Sequence, residues 1–347
     1  MSFNPRNILV IDFGQLGDVV ISLPALRAIR ERFPLAQITV AVGKPAAALV
    51  EMSGSANAII AVDRVELRDG FKPVSILKIL RMIKDVRRRE FDFVIDLHSF
   101  SETNLLGFLS GAPDRLFSRR PGRSLDFLAN FKPRPSLDRN DPNQHLIDRY
   151  FEVLLPLGIR NPPRIPQLSV PADADRAINA ILRKSKAEAG VPLVGLFPGA
   201  GHASRRWPLE RFAQLAEFLI RNDHVRPIVF LGPEERNQLL EIRAVFAPST
   251  VIVHKLSIPQ LAAAQARLAV FVSNDTGPAH IAAAVGTPTV ILTGRDIGRD
   301  GPHAFVPLAT TQTLIFRPSL DAISVEEVYE AVRALMSAER TTKLFAS

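Results

Sequence analysis

Asp18 follows two glycines, Gly14 and Gly17, in the stretch DFGQLGDVV (12–20). An apolar run (8–11) enters this stretch and a helical pattern (19–33) leaves it. Glycine lets the chain turn sharply and lets a ligand approach the backbone. A carboxylate placed there has two readings. It is a first-turn acid that caps the helix and meets its dipole. Or it is a base: the helix end keeps it ionised at neutral pH, and an ionised carboxylate in a cleft accepts a proton from a hydroxyl. Spacing alone leaves both open. The stretch is not the dinucleotide fingerprint, since G-x-G-x-x-G is absent.

Three further segments carry chemistry. In FPGAGHASRRWPLERFAQL (197–215), Gly199, Ala200, Gly201 and Ala203 allow close approach of backbone, and Ser204, Arg205 and Arg206 supply donors. Pro208 suits the first turn of the next helix. The combination suits an anion, phosphate above all, held by backbone amides and an arginine. Trp207, the only tryptophan, reads as packing between loop and core. In FVSNDTGPAHIAAAVGTPTVILTG (271–294), Asn274, Asp275 and Thr276 are helix-start residues, and Gly277 opens the backbone. That helix start is a second anion site, while Asp275 is also suited to accepting sugar hydroxyls. His280 reads either as a packing residue or as a group near the phosphates. In FLGPEERNQL (230–239), Glu234 and Glu235 are ribose-binding acids or first-turn helix acids. The Asp173-Ala-Asp175 string resembles a metal-binding pattern, but it opens a helical stretch after Pro171 and reads as a cap. There is no zinc-spaced histidine cluster and no Walker lysine loop, so neither a metal nor a cofactor is expected.

The elements that must position these residues alternate strand and helix. Strands are expected at 8–13, 36–42, 91–98, 192–197, 226–232, 249–254, 268–273 and 288–294, with helical patterns such as 75–90 between most of them. Continuous apolar strands alternating with helices argue for parallel sheets covered on both faces. The series runs twice, so two doubly wound α/β domains are expected, residues 1–170 and 171–347, with the last helix packing back on the first. The break falls near 158–173, which holds four prolines and a glycine. Ligands bind beyond the carboxyl ends of such strands, and two such domains facing each other make a cleft.

Composition narrows the classes. The chain has 347 residues, 47% hydrophobic and 22% charged, which is ordinary for a folded protein. It has no cysteine, which rules out disulfides, thiol nucleophiles and cysteine zinc sites. The opening residues lack a signal-peptide layout, and no apolar run reaches the ~18 residues of a membrane span. The net charge of +8 is uneven: residues 1–170 carry 24 Lys+Arg against 18 Asp+Glu. The excess is densest at 115–139, with seven basic residues and two acidic ones. Such a segment is a solvated loop or a surface for a phosphorylated substrate, a membrane or a nucleic acid. A nucleic acid is not expected, since no recognition motif or basic–aromatic interleaving accompanies the charge.

The segments 8–34, 198–219 and 273–294 resemble, in collinear order, motifs of the heptosyltransferase family, glycosyltransferase family 9. Residues 96–120 and 145–159 share the likeness. The resemblance implies a GT-B fold, two Rossmann-like domains around a cleft. It implies inverting, metal-independent transfer from a nucleotide sugar, usually ADP-heptose, to the lipopolysaccharide inner core or a related anionic, lipid-linked or glycan acceptor. By resemblance Asp18 is the general base. By resemblance too, Arg205, Thr276, Gly277 and His280 belong to the donor diphosphate and Asp275 to the donor sugar, while from the residues themselves Ser204 is expected at the diphosphate and Glu234, Gly199 and Gly201 at the donor sugar and nucleotide. Arg205 stands where members often have lysine; it keeps the charge and adds a forked donor. Gly17, Arg119, Arg120 and Arg123 fall on the acceptor side. Residues 293–302, TGRDIGRDGP, depart from the family's Gly-Pro-Thr, so Arg295 and Asp296 are placed to meet a different sugar or base. The implied location is the cytoplasm, with peripheral contact on the inner face of the inner membrane. The alternatives are a nucleotide-sugar epimerase or hydrolase on the same fold, or an inactive nucleotide-binding homologue.

Overall fold

The computed structural model describes residues 3–63, 73–120, 124–136, 144–185, 190–294 and 303–345. The chain divides into two compact units, Met1–Arg164 and Ile165–Ser347. The division falls six residues before the expected break at 170/171. Leu168 explains the difference: it is buried, and its amide donates to the Ala284 carbonyl of the second unit.

The first unit is built from β1 (Asn7–Asp12), α1 (Leu16–Arg32), β2 (Gln37–Gly43), α2 (Ala47–Ser53) and β3 (Ala58–Val62). It continues with α3 (Pro73–Arg87), β4 (Phe93–Asp96), α4 (Ser101–Leu109), β5 (Asp114–Phe117) and α5 (Leu146–Leu154). All strand pairs are parallel, in the order β3-β2-β1-β4-β5. Ile8, Leu9, Val10 and Ile11 are fully buried, so β1 needs apolar residues on both faces rather than in alternation. α1 packs against α2 and α5. From β1 the chain winds outward through β2 and β3, then returns to lay β4 on the other side of β1. The loops after β1 and β4 therefore diverge at a topological switch point, where α/β sheets bind ligands.

The second unit holds α6 (Ala172–Lys184), β6 (Leu193–Phe197), α7 (Leu209–Asp223), β7 (Arg226–Leu231), α8 (Leu239–Val245) and β8 (Val251–His254). These are followed by α9 (Ile258–Gln265), β9 (Val270–Asn274), α10 (Gly277–Ala284), β10 (Thr289–Gly294), β11 (Gln312–Arg317) and α11 (Val325–Phe345). Its sheet is also parallel, in the order β11-β10-β9-β6-β7-β8. The switch point lies between β6 and β9. The last helix, expected to return to the first unit, joins the second unit's own core through Val325, Val328, Val332, Leu335 and Met336. These residues recur at helical spacing and form the stripe that covers that sheet. The Asp173-Ala-Asp175 string opens α6, and Asp175 pairs with Arg267 at 2.5 Å, which gives it a structural role.

The expected strands match β1, β2, β4, β6, β7, β8, β9 and β10 within a few residues. Three strands go beyond the sequence reading: β3, β5 and β11. Each is the edge of a sheet, and β3 and β11 are only partly buried, so the continuous apolar signal of an interior strand is missing.

Candidate active site

In the first unit the polar residues gather at the carboxyl ends of β1 and β4. Asp12 ends β1 with no exposure. Its Oδ1 accepts from the Gly14 amide at 3.0 Å and its Oδ2 from the Ser22 hydroxyl on α1, which ties the turn to the helix. Asp18 is the third residue of α1, half-buried, and its Oδ2 accepts from the Gln15 amide at 3.0 Å. The cap reading of Asp18 is thus realised, and the same bond holds the carboxylate at the helix mouth. A side chain at Gly14 has no room: a Cβ there would lie 2.6 Å from Asp18 Cβ and 2.8 Å from His98 Nε2. Gly17 sits inside the first turn, partly exposed.

His98, Asp12, Asp96 and Tyr150 complete this cluster, and none was singled out as a site residue by sequence reasoning. Asp96 is wholly buried, and burial pushes its carboxyl up to about 6 against the pull of its hydrogen bonds. It accepts from the amides of His98 (3.1 Å) and Ser99 (2.8 Å) and from Asn104 Nδ2 (2.7 Å), so it shapes the loop after β4. Ser99 takes a left-handed φ of 51° in that loop. The His98 ring stacks on Tyr150, with centroids 5.5 Å apart and planes 9° off parallel. Its Nε2 lies 3.4 Å from Asp12 Oδ1. The Tyr150 hydroxyl is buried and has no hydrogen-bond partner among the described residues. Burial first, then the carboxylates Asp12 and Asp18, hold it well above the ordinary phenol range. Arg120 is half-buried over the Phe100 ring at 4.2 Å and donates to the His98 carbonyl at 2.9 Å. Arg119 is exposed. Arg123 lies outside the described residues.

In the second unit the loops after β6 and β9 are clamped together. Asn274 Nδ2 donates to the carbonyls of Pro198 (3.0 Å) and Gly199 (3.2 Å), and its Oδ1 accepts from the Trp207 amide (2.9 Å). Trp207 is almost fully buried, with Nε1 donating to the Ile323 carbonyl, so it packs as expected. Arg206 folds back with Nε and Nη2 on the Ala200 carbonyl at 3.0 and 2.8 Å. Arg205, its neighbour, instead lines a pocket with Ser204, Asp275, Leu292, Thr293, Gly294 and Leu320. Asp275 is pushed up to about 6 by burial, against the pull of Arg205. Thr276 stands at the N-cap position of α10 without a side-chain cap bond, and its hydroxyl shares a 3.0 Å hydrogen bond with that of Ser273. Gly277 opens the helix, and buried His280 places Nε2 3.9 Å from Asp275 Oδ1. The anion-suited residues Ser204, Arg205, Thr276, Gly277 and His280, with Asp275, thus lie on the loops and helix start at one switch point.

The acidic pair after β7 divides differently from the expectation that named Glu234. Glu234 is exposed. Glu235 is buried, accepts from the Gly232 amide at 3.0 Å and lies against Gly199, where a Cβ would come within 2.3 Å of its Oε1. Burial raises its carboxyl above the ordinary range. Gly201 faces open space. Arg295, Asp296 and the rest of 295–302 lie outside the described residues.

The family model for glycosyltransferase family 9 (heptosyltransferase) matches residues 79–317. The lipopolysaccharide core heptosyltransferase OpsX of Haemophilus influenzae is 23% identical over 294 residues, 83% of this chain and 79% of that protein. Among solved structures, the glycosyl transferase family 9 protein from Veillonella parvula is similar with a TM-score of 0.84 at 22% identity, over 97% of this chain and 99% of that one. E. coli heptosyltransferase WaaC with ADP is similar with a TM-score of 0.77 at 19% identity, over 95% and 99%. The two parallel-sheet units are those of the GT-B fold.

Proposed function

This chain belongs to glycosyltransferase family 9, and from that premise we propose that it moves heptose from ADP-heptose to a lipopolysaccharide core acceptor, with inversion, without a metal ion and with Asp18 as general base. The names of its relatives support the sugar and the acceptor, and a neighbour with ADP bound supports the nucleotide. The observation that carries the chemistry is the division of charge between the units. The first presents a carboxylate at a glycine turn, and in the second Arg205 lines a pocket with Asp275, the residue just before the N-cap of α10.

Asp18 takes the proton of the acceptor hydroxyl as its oxygen bonds to the anomeric carbon. The anomeric C–O bond breaks on the opposite face, and its electron pair leaves on the diphosphate as ADP. Arg205 and the first amides of α10, which follow Thr276 and begin at Gly277, stabilise the charge that develops there, the role a metal ion fills elsewhere. Inversion in one displacement needs one base and no covalent intermediate. Ser204 and His280 border the diphosphate, and Asp275 accepts from sugar hydroxyls. Gly201 leaves room for the nucleoside beside Glu234, and Gly199 for the Glu235 carboxylate.

Arg119, Arg120 and Arg123 serve an anionic acceptor, from the basic stretch that also holds Arg115 and Arg134. Leu105, Phe108 and Phe127 are exposed in the same unit, with the Arg115 guanidinium 5.5 Å from the Phe108 ring. Exposed apolar residues beside basic ones suit anionic lipid headgroups and support a peripheral association on the cytoplasmic face. Among the described residues no helix is long and apolar enough to cross a membrane.

Asp18→Asn tests the reading. It keeps the acceptor oxygen that the Gln15 amide needs but removes the base. We expect unchanged folding and ADP binding with transfer reduced about 10²–10⁴-fold. Near-normal turnover in that variant refutes Asp18 as the base.

A further inference from the structure

The ground behind Asp18 holds more polar groups than one base requires. His98 Nε2 is 3.4 Å from Asp12 Oδ1, and the point where a Gly14 Cβ would sit is 2.8 Å from that nitrogen and 2.6 Å from Asp18 Cβ. The imidazole and the carbon that bears the Asp18 carboxylate therefore flank the same side of Gly14. The Asp12 carboxylate accepts from the Gly14 amide and the Ser22 hydroxyl, and as an acceptor it favours a proton on the ring nitrogen that faces it. The ring plane is held by the Tyr150 stack and the Phe100 edge, and its backbone by Asp96 and Arg120. A buried ring held by these contacts, with Nε2 toward Asp12 and beside the Asp18 side chain, is placed to act on them.

We propose that His98 is a positioning residue for the reaction, with its Nε2–H edge set between Asp12 and Asp18, orienting Asp18 and favouring its ionised form. The inference rests on Asp18 being the base. The charged and titratable groups facing the ring are Asp12 from β1, Asp18 from α1, Tyr150 from α5, Asp96 on its own strand and Arg120 after β5; Arg149 on α5 acts on Tyr150. Asp12 and Asp96 oppose further negative charge at Asp18. A hydrogen-bond donor or cation at the ring does the reverse. Without the ring, Asp18 takes up its proton at higher pH and is less well aimed.

The test compares full-length wild type, His98→Ala, His98→Gln and Asp18→Asn. The carboxyl 13C resonance of Asp18, assigned by its loss in Asp18→Asn, is followed against pH. ADP release from ADP-heptose with lipopolysaccharide core acceptor gives kcat and KM. In His98→Ala we expect the Asp18 titration to move upward by at least about half a pH unit. We expect kcat to fall about 10–100-fold with KM for the donor unchanged. His98→Gln keeps a side-chain N–H and recovers part of both. An Asp18 titration in His98→Ala that overlays wild type overturns the proposal, and should the alanine variant not fold, the same comparison is made in His98→Phe, which keeps a ring on Tyr150 and removes the N–H, where an unmoved titration overturns it. Normal turnover in Asp18→Asn removes the base itself. Loss of turnover there with an unmoved titration in the His98 variants removes only this inference.

Discussion

Adding one methyl group at Gly14 tests the geometry of the first unit directly. Gly14 does not adopt a left-handed φ, so alanine is acceptable to the backbone and only space decides the outcome. The new Cβ would stand 2.6 Å from Asp18 Cβ and 2.8 Å from His98 Nε2, whereas carbon atoms pack comfortably at about 3.5–4 Å. The gap must therefore open by about 1 Å. Neither neighbour yields freely: Asp18 is tied to the Gln15 amide, and the His98 ring is sandwiched by Tyr150 and Phe100. Overpacking of this kind costs about 1–3 kcal/mol. In a protein of this size each kcal/mol lowers the melting temperature by about 2–4 °C. A shift of about 1 Å in a reacting group costs about 100-fold in rate. The assay pairs thermal unfolding and ADP calorimetry with ADP release in the presence of acceptor. We expect lower stability and about 100-fold slower transfer, with the nucleotide dissociation constant unchanged because the pocket lies in the other unit. Gly201→Ala, where a Cβ meets nothing within 4 Å, is the control and should leave stability unchanged. Full activity in Gly14→Ala refutes the packing of Asp18 against His98 through Gly14.

Asp275 is held at the cost of stability. Its carboxyl is raised from 3.8 to about 6 chiefly by burial, so the folded chain binds this proton more tightly than the unfolded chain does. The group's contribution therefore favours folding at low pH and turns against it as pH rises from about 4 to 6. Asp275→Asn should accordingly be more stable than wild type at pH 7.5 by up to about 3 kcal/mol and equal to it near pH 4 by denaturant melts, with poorer transfer; equal stability at both pH values refutes the burial cost. Arg205→Ala should weaken ADP binding about 10–100-fold by calorimetry in the presence of a chelator, from loss of a charge-assisted hydrogen bond. An unchanged dissociation constant takes Arg205 out of the phosphate site.

The interior strands were legible because both their faces are buried, which writes a continuous apolar run into the chain, as at Ile8–Ile11. The edge strands β3, β5 and β11 were not, because a short or half-exposed strand has no such signature. Asp18 and the 198–208 and 274–280 segments were legible because glycine, helix-start residues and donors stand next to one another in the chain. Asp12, His98 and Tyr150 were not, because β1, the loop after β4 and α5 are far apart in sequence and meet only when β4 is laid beside β1.

The sequence by itself determined the class of the fold, the two-unit plan and the loops that carry chemistry, because periodicity and local turn chemistry act over a few residues. Only the tertiary structure decided how the two members of each adjacent pair are turned. Arg206 is turned away by the Ala200 carbonyl, which leaves Arg205 at the pocket. Glu235 is turned inward by the Gly232 amide against Gly199, which leaves Glu234 exposed. The physical reason is the same in both cases. Neighbouring residues share their local propensities, so the direction of each side chain is set by the partners that the folded backbone brings within hydrogen-bonding distance.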